Sequence, residues 1–368
     1  MPDVMSKRER LEAAFALHEP DRTPILGGWI AAPEHIMALT DAGKDNYWAD
    51  PIGVSISAYE ILGMDGLIDV FVPKDGDYRC VDTGNYFASA GRWSLEDTLA
   101  DIESMPDSRE TEAQFDFDTE YETFRAGLVA CQASCGDMIW MPAQWDASAK
   151  IAWYGRYGYE NFFYIVAAHP EHAVKLLRVG GARGRCQSRL VARAVGEGMY
   201  PHAVLLGEDV CDQRGPMLSP AFLEQHFFPQ LAYSLEPLLE VGCRPVWHSD
   251  GDIRRLIDPL ITAGVQGFQG FQSECGVHLE DVVQKRTRDG EPLLIFGPLS
   301  VTTELPVWSP KQVAAAVTSA IETCRGKASL VLFTANTINP DIPLENVLAI
   351  SEAVGATVDF EDPAGLET

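Results

Sequence analysis

The sequence predicts an α/β protein, a (β/α)8 TIM barrel with an N-terminal helical extension. Three observations predict it. Eight short apolar runs recur along the 368 residues. Several are continuous rather than alternating, as strands covered on both faces are. Helical periods lie between many of them, and strand–helix alternation implies parallel strands. Most telling, run after run closes on polar residues, as happens where barrel strands end at a shared mouth.

The elements follow in order. The charged stretch 6–17 predicts a helix ahead of the first strand. Strands are predicted at 23–29, 66–72, 138–145, 202–207, 243–248, 265–271, 292–297 and 328–334. A long helix is predicted over 161–195, with a break between Gly180 and Gly184 because glycine weakens helix interiors. Ser219-Pro220 and Ser309-Pro310 each pair an N-cap with a first-turn proline, opening helices over 220–241 and 310–324. Residues 253–263 predict a helix between the fifth and sixth strands, and 344–354 one after the last. Between about 75 and 137 the alternation fails. An insertion near the mouth is expected there, partly helical and partly loop over 87–102 and 108–122. No repeat, low-complexity tract or linker divides the chain, so residues 1–368 are expected to form one barrel domain.

The formal net charge of −26 sets up a field that repels nucleic acid and anionic membrane. No segment is long and apolar enough to span a bilayer. The opening MPDVMSKRERLEAAF has no apolar core or cleavage site of a signal peptide. A cytoplasmic location is therefore expected. The eight cysteines are irregularly spaced and read as free thiols rather than a disulfide framework.

The chemistry concentrates at the predicted strand ends, above all in CRPVWHSDGDIRRLIDPLITAGVQGFQGFQSECG, residues 243–276. His248 reads as a metal ligand or general acid/base, or else as a core histidine packed on Trp247. Asp250 reads as a ligand, a carboxylate orienting the imidazole, or a helix N-cap, and Asp252 offers the same cap. Glu208 and Asp209 close the preceding strand as an acid/base pair or as solvated acids. Glu274 and Cys275, one strand from His248, supply a carboxylate and a thiol of the kind zinc takes. The metal set expected on this basis is His248, Glu274 and Cys275, holding zinc. Gln269 and Gln272 offer amide hydrogen bonds to a ligand, and Asn336 ends the last strand. Trp29 and Trp145 could line an aromatic pocket for a flat or methylated substrate. No Walker loop, GxGxxG after the first strand, HExxH or GxSxG is present, which argues against the chemistries those motifs serve.

Four blocks, RERLEAAFALHEPDRTPI, GEDVCDQRGPMLSPAFLEQHFFPQL, HSDGDIRRLIDPLITAGVQGFQ and PDIPLENVLAI, stand in an order that resembles the uroporphyrinogen decarboxylase superfamily. The resemblance implies a (β/α)8 barrel and two chemistries. True decarboxylases of the superfamily bind their polycarboxylate substrate through an arginine-rich segment after the first strand; here that segment reads GGWIAAPEHI, without arginine. The chain is more similar to the cobalamin-dependent methyltransferase branch, which holds zinc through a His-x-Cys pair and a later cysteine. His248 matches the histidine. Asp250 stands at the paired cysteine, and no cysteine stands near Ala335 and Asn336, where the later one falls.

The expected function is thus a methyltransferase or demethylase. It would move a methyl group between a small methylated compound and a corrinoid, carried by a partner protein, or another acceptor. Its catalytic residues would be Glu208, Asp209, His248 and Asp250. Trp29, Trp145, Gln269, Gln272 and Asn336 would bind substrate. A homodimer is the expected assembly. The alternatives are a decarboxylase of a small carboxylic acid and a barrel that binds a ligand without catalysis.

Overall fold

Each of the eight apolar runs holds a strand. The computed structural model describes residues 4–73 and 93–358. The strands are β1 (Leu26–Gly27), β2 (Gly66–Leu67), β3 (Ile139–Trp140), β4 (Ala203–Gly207), β5 (Arg244–His248), β6 (Gly267–Gln269), β7 (Leu294–Leu299) and β8 (Ser329–Thr334). A two-residue antiparallel ribbon, Cys211–Asp212 with Gly215–Pro216, follows β4. The result is an α/β fold with parallel strand pairing. Among the described residues, no helix is long and apolar enough to cross a membrane.

The chain divides into two compact units. The first holds residues 4–73, 130–142 and 295–358 of the described chain. Its strands β1, β2 and β3 pair in parallel, with Leu26 opposite Gly66 and Gly66 opposite Ile139. Parallel bridges from Ile25 to Leu332 and from Ile30 to Ile338 put β8 beside β1, and β7 is hydrogen-bonded to β8. The helix Lys7–Phe15 starts on a capping box in which Ser6 and Glu9 bond reciprocally. It carries Arg10, which is fully buried and bonds Asp65 at 2.6 Å. Arg22 reaches the other Asp65 oxygen at 2.8 Å, and that oxygen also accepts the Ile25 N–H. Two cations on one buried carboxylate pin the entry to β1 against the start of β2.

The second unit holds residues 93–129 and 143–294. Here β4, β5 and β6 lie side by side in parallel, Gly207 opposite His248 and His248 opposite Gln269. Gln144 donates to the Leu205 carbonyl at 2.8 Å, adding one link beside β4. Every residue of β4 is buried, as are Trp247 and Phe268, so the strand bodies are core and only their ends reach water.

The long helix differs from expectation. Pro170–Gly196 is one uninterrupted helix of 27 residues, with no break at its glycines. The interruption falls at His169 (φ −133°, ψ 57°), because a proline bars the preceding residue from helical angles. The glycines form a groove instead. A Cβ on Gly184 would sit 2.5 Å from the Ser148 backbone, and one on Gly180 3.0 Å from the Lys150 carbonyl. The segment 148–150 therefore crosses the helix at a distance no side chain would allow.

The helix expected over 253–263 starts later, at Ile257, with Leu256 in the cap position. Neither Asp250 nor Asp252 caps it. Asp252 turns instead to Arg254, taking its backbone N–H at 3.2 Å and its guanidinium at 2.8 Å. In the region of the expected insertion, helices run Leu95–Ser104, Ser108–Ala113 and Phe117–Ser134. Ser94 and Asp107 cap the first two. Residues 74–92, which include part of the insertion stretch expected at 87–102, lie outside the described residues, as does Cys80. The seven described cysteines are free thiols.

Candidate functional site

The register of the second unit builds the site. Since Gly207, His248 and Gln269 share one row, the residues just beyond that row, Glu208-Asp209 and Ser249-Asp250, emerge together at the strand ends. Gly270 makes the row possible. It adopts φ +89°, and a Cβ there would lie 3.1 Å from His248 Nδ1.

His248 is held at Nδ1. Nδ1 bonds the side-chain oxygen of Gln269. An amide oxygen only accepts, so Nδ1 carries a proton and Nε2 points to the strand end. There Asp209 Oδ1 lies 3.8 Å from Nε2. The same oxygen accepts the Asp250 N–H at 2.8 Å, which ties the ends of β4 and β5. The Trp145 ring meets the imidazole at 5.6 Å, tilted by 69°. Buried Ser249 accepts the Val210 N–H at 3.3 Å and donates to the Asp250 carbonyl at 3.0 Å.

Glu208 occupies a cradle of a different kind. One carboxylate oxygen accepts the Ile151 N–H, and the other accepts the Ala152 N–H at 2.9 Å. Lys150 lies within electrostatic range, yet burial dominates and pushes the carboxyl up to about 7. The cradle is the stretch that the Gly180–Gly184 groove admits. It is followed by Tyr154 and Tyr159, whose rings stack at 4.4 Å. Tyr154 donates its hydroxyl to the Asp209 carbonyl at 3.0 Å. Burial, with Asp209 adding to it, pushes the Tyr159 phenol up.

The structure brings together Asp209, His248 and Asp250, whose potential ligand atoms all lie within 4.8 Å of one another. It does not bring Glu274 and Cys275 into that group. These two lie on the one-turn helix Ser273–Cys275. The Cys275 sulfur sits 3.6 Å from Gln272 Oε1, and burial, with Glu274 adding to it, pushes the thiol up. Gln272 spends its oxygen on the Gly251 N–H at 2.7 Å. Gln269 serves His248.

Trp29 and Asn336 belong to the first unit. Trp29 is buried, stacked on Phe71 at 5.2 Å and edge-on to Phe333 at 4.7 Å. Asn336 accepts the backbone N–H and the hydroxyl of Thr337. Sequence reasoning missed the Lys150–Ala152 cradle, Tyr154 and Tyr159. The signal that could have found them is the aromatic cluster in IAWYGRYGY, residues 151–159.

No family model matches the chain, and no curated protein matches it. Among solved structures, a methyltransferase from Methanosarcina mazei superposes with TM-score 0.60 over 95% of this chain and 98% of that one, at 14% identity. At that identity the likeness shows a shared fold and nothing more. A GH53 catalytic domain from Ignisphaera aggregans covers 90% of this chain and 96% of that one, at 10% identity, with TM-score 0.39, too low to bear on the fold.

Proposed function

We propose that this chain is a methyltransferase of the uroporphyrinogen decarboxylase-like superfamily, a (β/α)8 barrel. It moves a methyl group from a small methylated compound to a corrinoid on a partner protein, or to another acceptor. The observation that carries the reading is the fixed imidazole of His248. Gln269 sets its tautomer, Asp209 faces Nε2, and a part-buried carboxyl stands on the adjoining strand end.

In the donor R–X–CH3, where X is oxygen, nitrogen or sulfur, the bond from X to methyl breaks. Its electron pair stays on X, and the methyl carbon bonds to the acceptor nucleophile. The anion growing on X needs a positive partner or a proton in the transition state. Glu208 supplies that proton. Its two backbone donors hold it at the strand end, and burial, which outweighs them, keeps it ready to protonate X near neutral pH. His248 accepts a hydrogen bond at Nε2 and orients the donor. Trp145 and the Tyr154–Tyr159 pair offer apolar contact for the methylated end.

Two carboxylates and one imidazole are ligands that a borderline divalent cation takes, so Asp209, His248 and Asp250 are the residues that would hold one. When bound, such an ion polarises X as a Lewis acid. Two carboxylates, Asp209 and Asp250, at one opening disfavour an anionic donor. That also weighs against a decarboxylase, whose substrate brings another carboxylate.

The experiment offers the purified protein reduced cobalamin as acceptor and a panel of O-, N- and S-methyl compounds, and follows methyl-cobalt formation by absorbance. Turnover of a neutral or cationic donor, lowered at least about 100-fold in His248→Ala, supports the reading. No transfer from any donor, or equal transfer by the variant, contradicts it.

A further inference from the structure

We propose that the cleft between the start of the Ser108–Ala113 helix and the first turns of the Pro170–Gly196 helix binds a small phosphate monoester, held by Arg109, Lys175 and Arg178. Both walls belong to the second unit. None of the lining residues belongs to the His248 cluster. The cleft has a volume of about 470 Å³, within the range of about 300–1,000 Å³ over which small-molecule sites occur.

One face of the long helix supplies most of the lining. Glu171, Val174, Lys175 and Arg178 recur at spacings of three and four, which puts them on one side of an α-helix. Val179, which is buried, completes that wall. Arg109 comes from the other wall, in the first turn of the short helix that Asp107 caps.

The charges say why an anion belongs there. Among the described residues, Arg109 and Arg178 make no ion pair or hydrogen bond, although acids outnumber bases in this chain by 54 to 28. Other exposed arginines do find carboxylates: Arg156 meets Asp101 at 3.1 Å, and Arg254 meets Asp252 at 2.8 Å. Lys175 donates to the Glu103 carbonyl at 2.9 Å, which holds its ammonium without cancelling the charge. The two acids of the lining are already engaged. Asp107 accepts the Glu110 N–H at 2.9 Å, and Glu171 meets His172 Nδ1 at 3.0 Å. Two unpaired guanidinium groups and one tethered ammonium therefore line a single cleft.

A phosphate monoester fits this set better than a carboxylate does. It offers three strong acceptor oxygens, one for each cation, where a carboxylate offers two in one plane. Each guanidinium presents a planar fork that matches phosphate oxygens. Val174 and Val179 give apolar contact to the carbon skeleton of the ester. The field of a chain with net charge −26 opposes any anion. Salt screens that field beyond about 8 Å at physiological ionic strength, so the lining decides. A bound ester would join the Ser108–Ala113 helix to the long helix, whose later glycines admit the Glu208 cradle.

The test is calorimetric titration of the full-length protein, at about physiological ionic strength, with glycerol 3-phosphate as the monoester. Inorganic phosphate and succinate serve as comparison anions. One equivalent of glycerol 3-phosphate should bind, more tightly than either comparison. Arg109→Gln and Arg178→Gln change exposed side chains, and circular dichroism checks their fold. Each should weaken binding at least about 10-fold. Glu171→Gln removes a negative charge from the lining and should tighten binding about 2- to 5-fold. His248→Ala should bind as wild type does. A wild-type Kd weaker than about 1 mM, equal affinity for inorganic phosphate or succinate, folded arginine variants with wild-type affinity, or loss of binding in His248→Ala overturns the proposal. No lining residue takes part in the proposed methyl transfer, so failure here leaves that reading untouched.

Discussion

Asp209 Oδ1 faces His248 Nε2 across 3.8 Å, from the end of β4 to the end of β5, while Gln269 on β6 takes the opposite ring nitrogen. Three neighbouring strands thus set the position, tilt and tautomer of one imidazole. Parallel pairing makes this economical, because residues in register arrive at the same end of the sheet.

The first prediction concerns that tautomer. Gln269→Leu keeps the volume of the buried side chain and removes the acceptor at Nδ1. The ring is then free to carry its proton on either nitrogen. Turnover should fall by about 10- to 100-fold with circular dichroism unchanged. An unaltered rate would mean that Gln269 does not govern His248.

Glu208 yields a pH prediction for metal-free protein. Burial raises its carboxyl from an ordinary 4.5 to about 7. A raised carboxyl is protonated in the folded chain while the unfolded chain has already ionised. Its contribution is therefore full below about pH 4.5 and is lost as pH rises through about 7, on the order of 3 kcal/mol in all. Urea unfolding of chelator-treated protein between pH 4.5 and 8 should show this decline, and Glu208→Gln should flatten it. Parallel curves for the two proteins would refute the assignment.

The cradle around Glu208 depends on a helix that never touches the imidazole. In Gly184→Ala the new methyl would lie 2.5 Å from the Ser148 backbone, so the segment leading to Ile151 and Ala152 must move. Stability should drop by about 1–3 kcal/mol, and the pH-dependent decline assigned to Glu208 should shift with it. Wild-type stability and pH response together would show that the crossing tolerates a side chain.

In the first unit, Arg10→Met removes one of the two cations on buried Asp65. Breaking a buried pair from one side costs about 3–5 kcal/mol. The denaturation midpoint should fall accordingly, while a loss below about 1 kcal/mol would mean that Arg22 holds Asp65 unaided.

What the sequence revealed follows from what pattern encodes. The apolar runs located all eight strands because a buried strand needs an unbroken apolar stretch. Ser309 and Pro310 located the start of the Pro310–Cys324 helix because a cap and a first-turn proline are local signals. Glycine was misleading. Gly180 and Gly184 read as helix breakers, but their missing side chains serve a crossing segment 30 or more residues away, a long-range fact that no local pattern carries. The residues at the ends of β4 and β5 were legible because strand ends are. The backbone donors of Ile151 and Ala152 were not, since any residue has an N–H and only the fold decides where it points.

The most direct test is single-turnover methyl transfer to reduced cobalamin, measured at saturating donor for wild type, Asp209→Asn and His248→Ala. Wild type should form methyl-cobalt in a single phase. His248→Ala should lose at least about 100-fold in the rate of that phase, with Asp209→Asn falling between them. Equal single-turnover rates in all three proteins would contradict it.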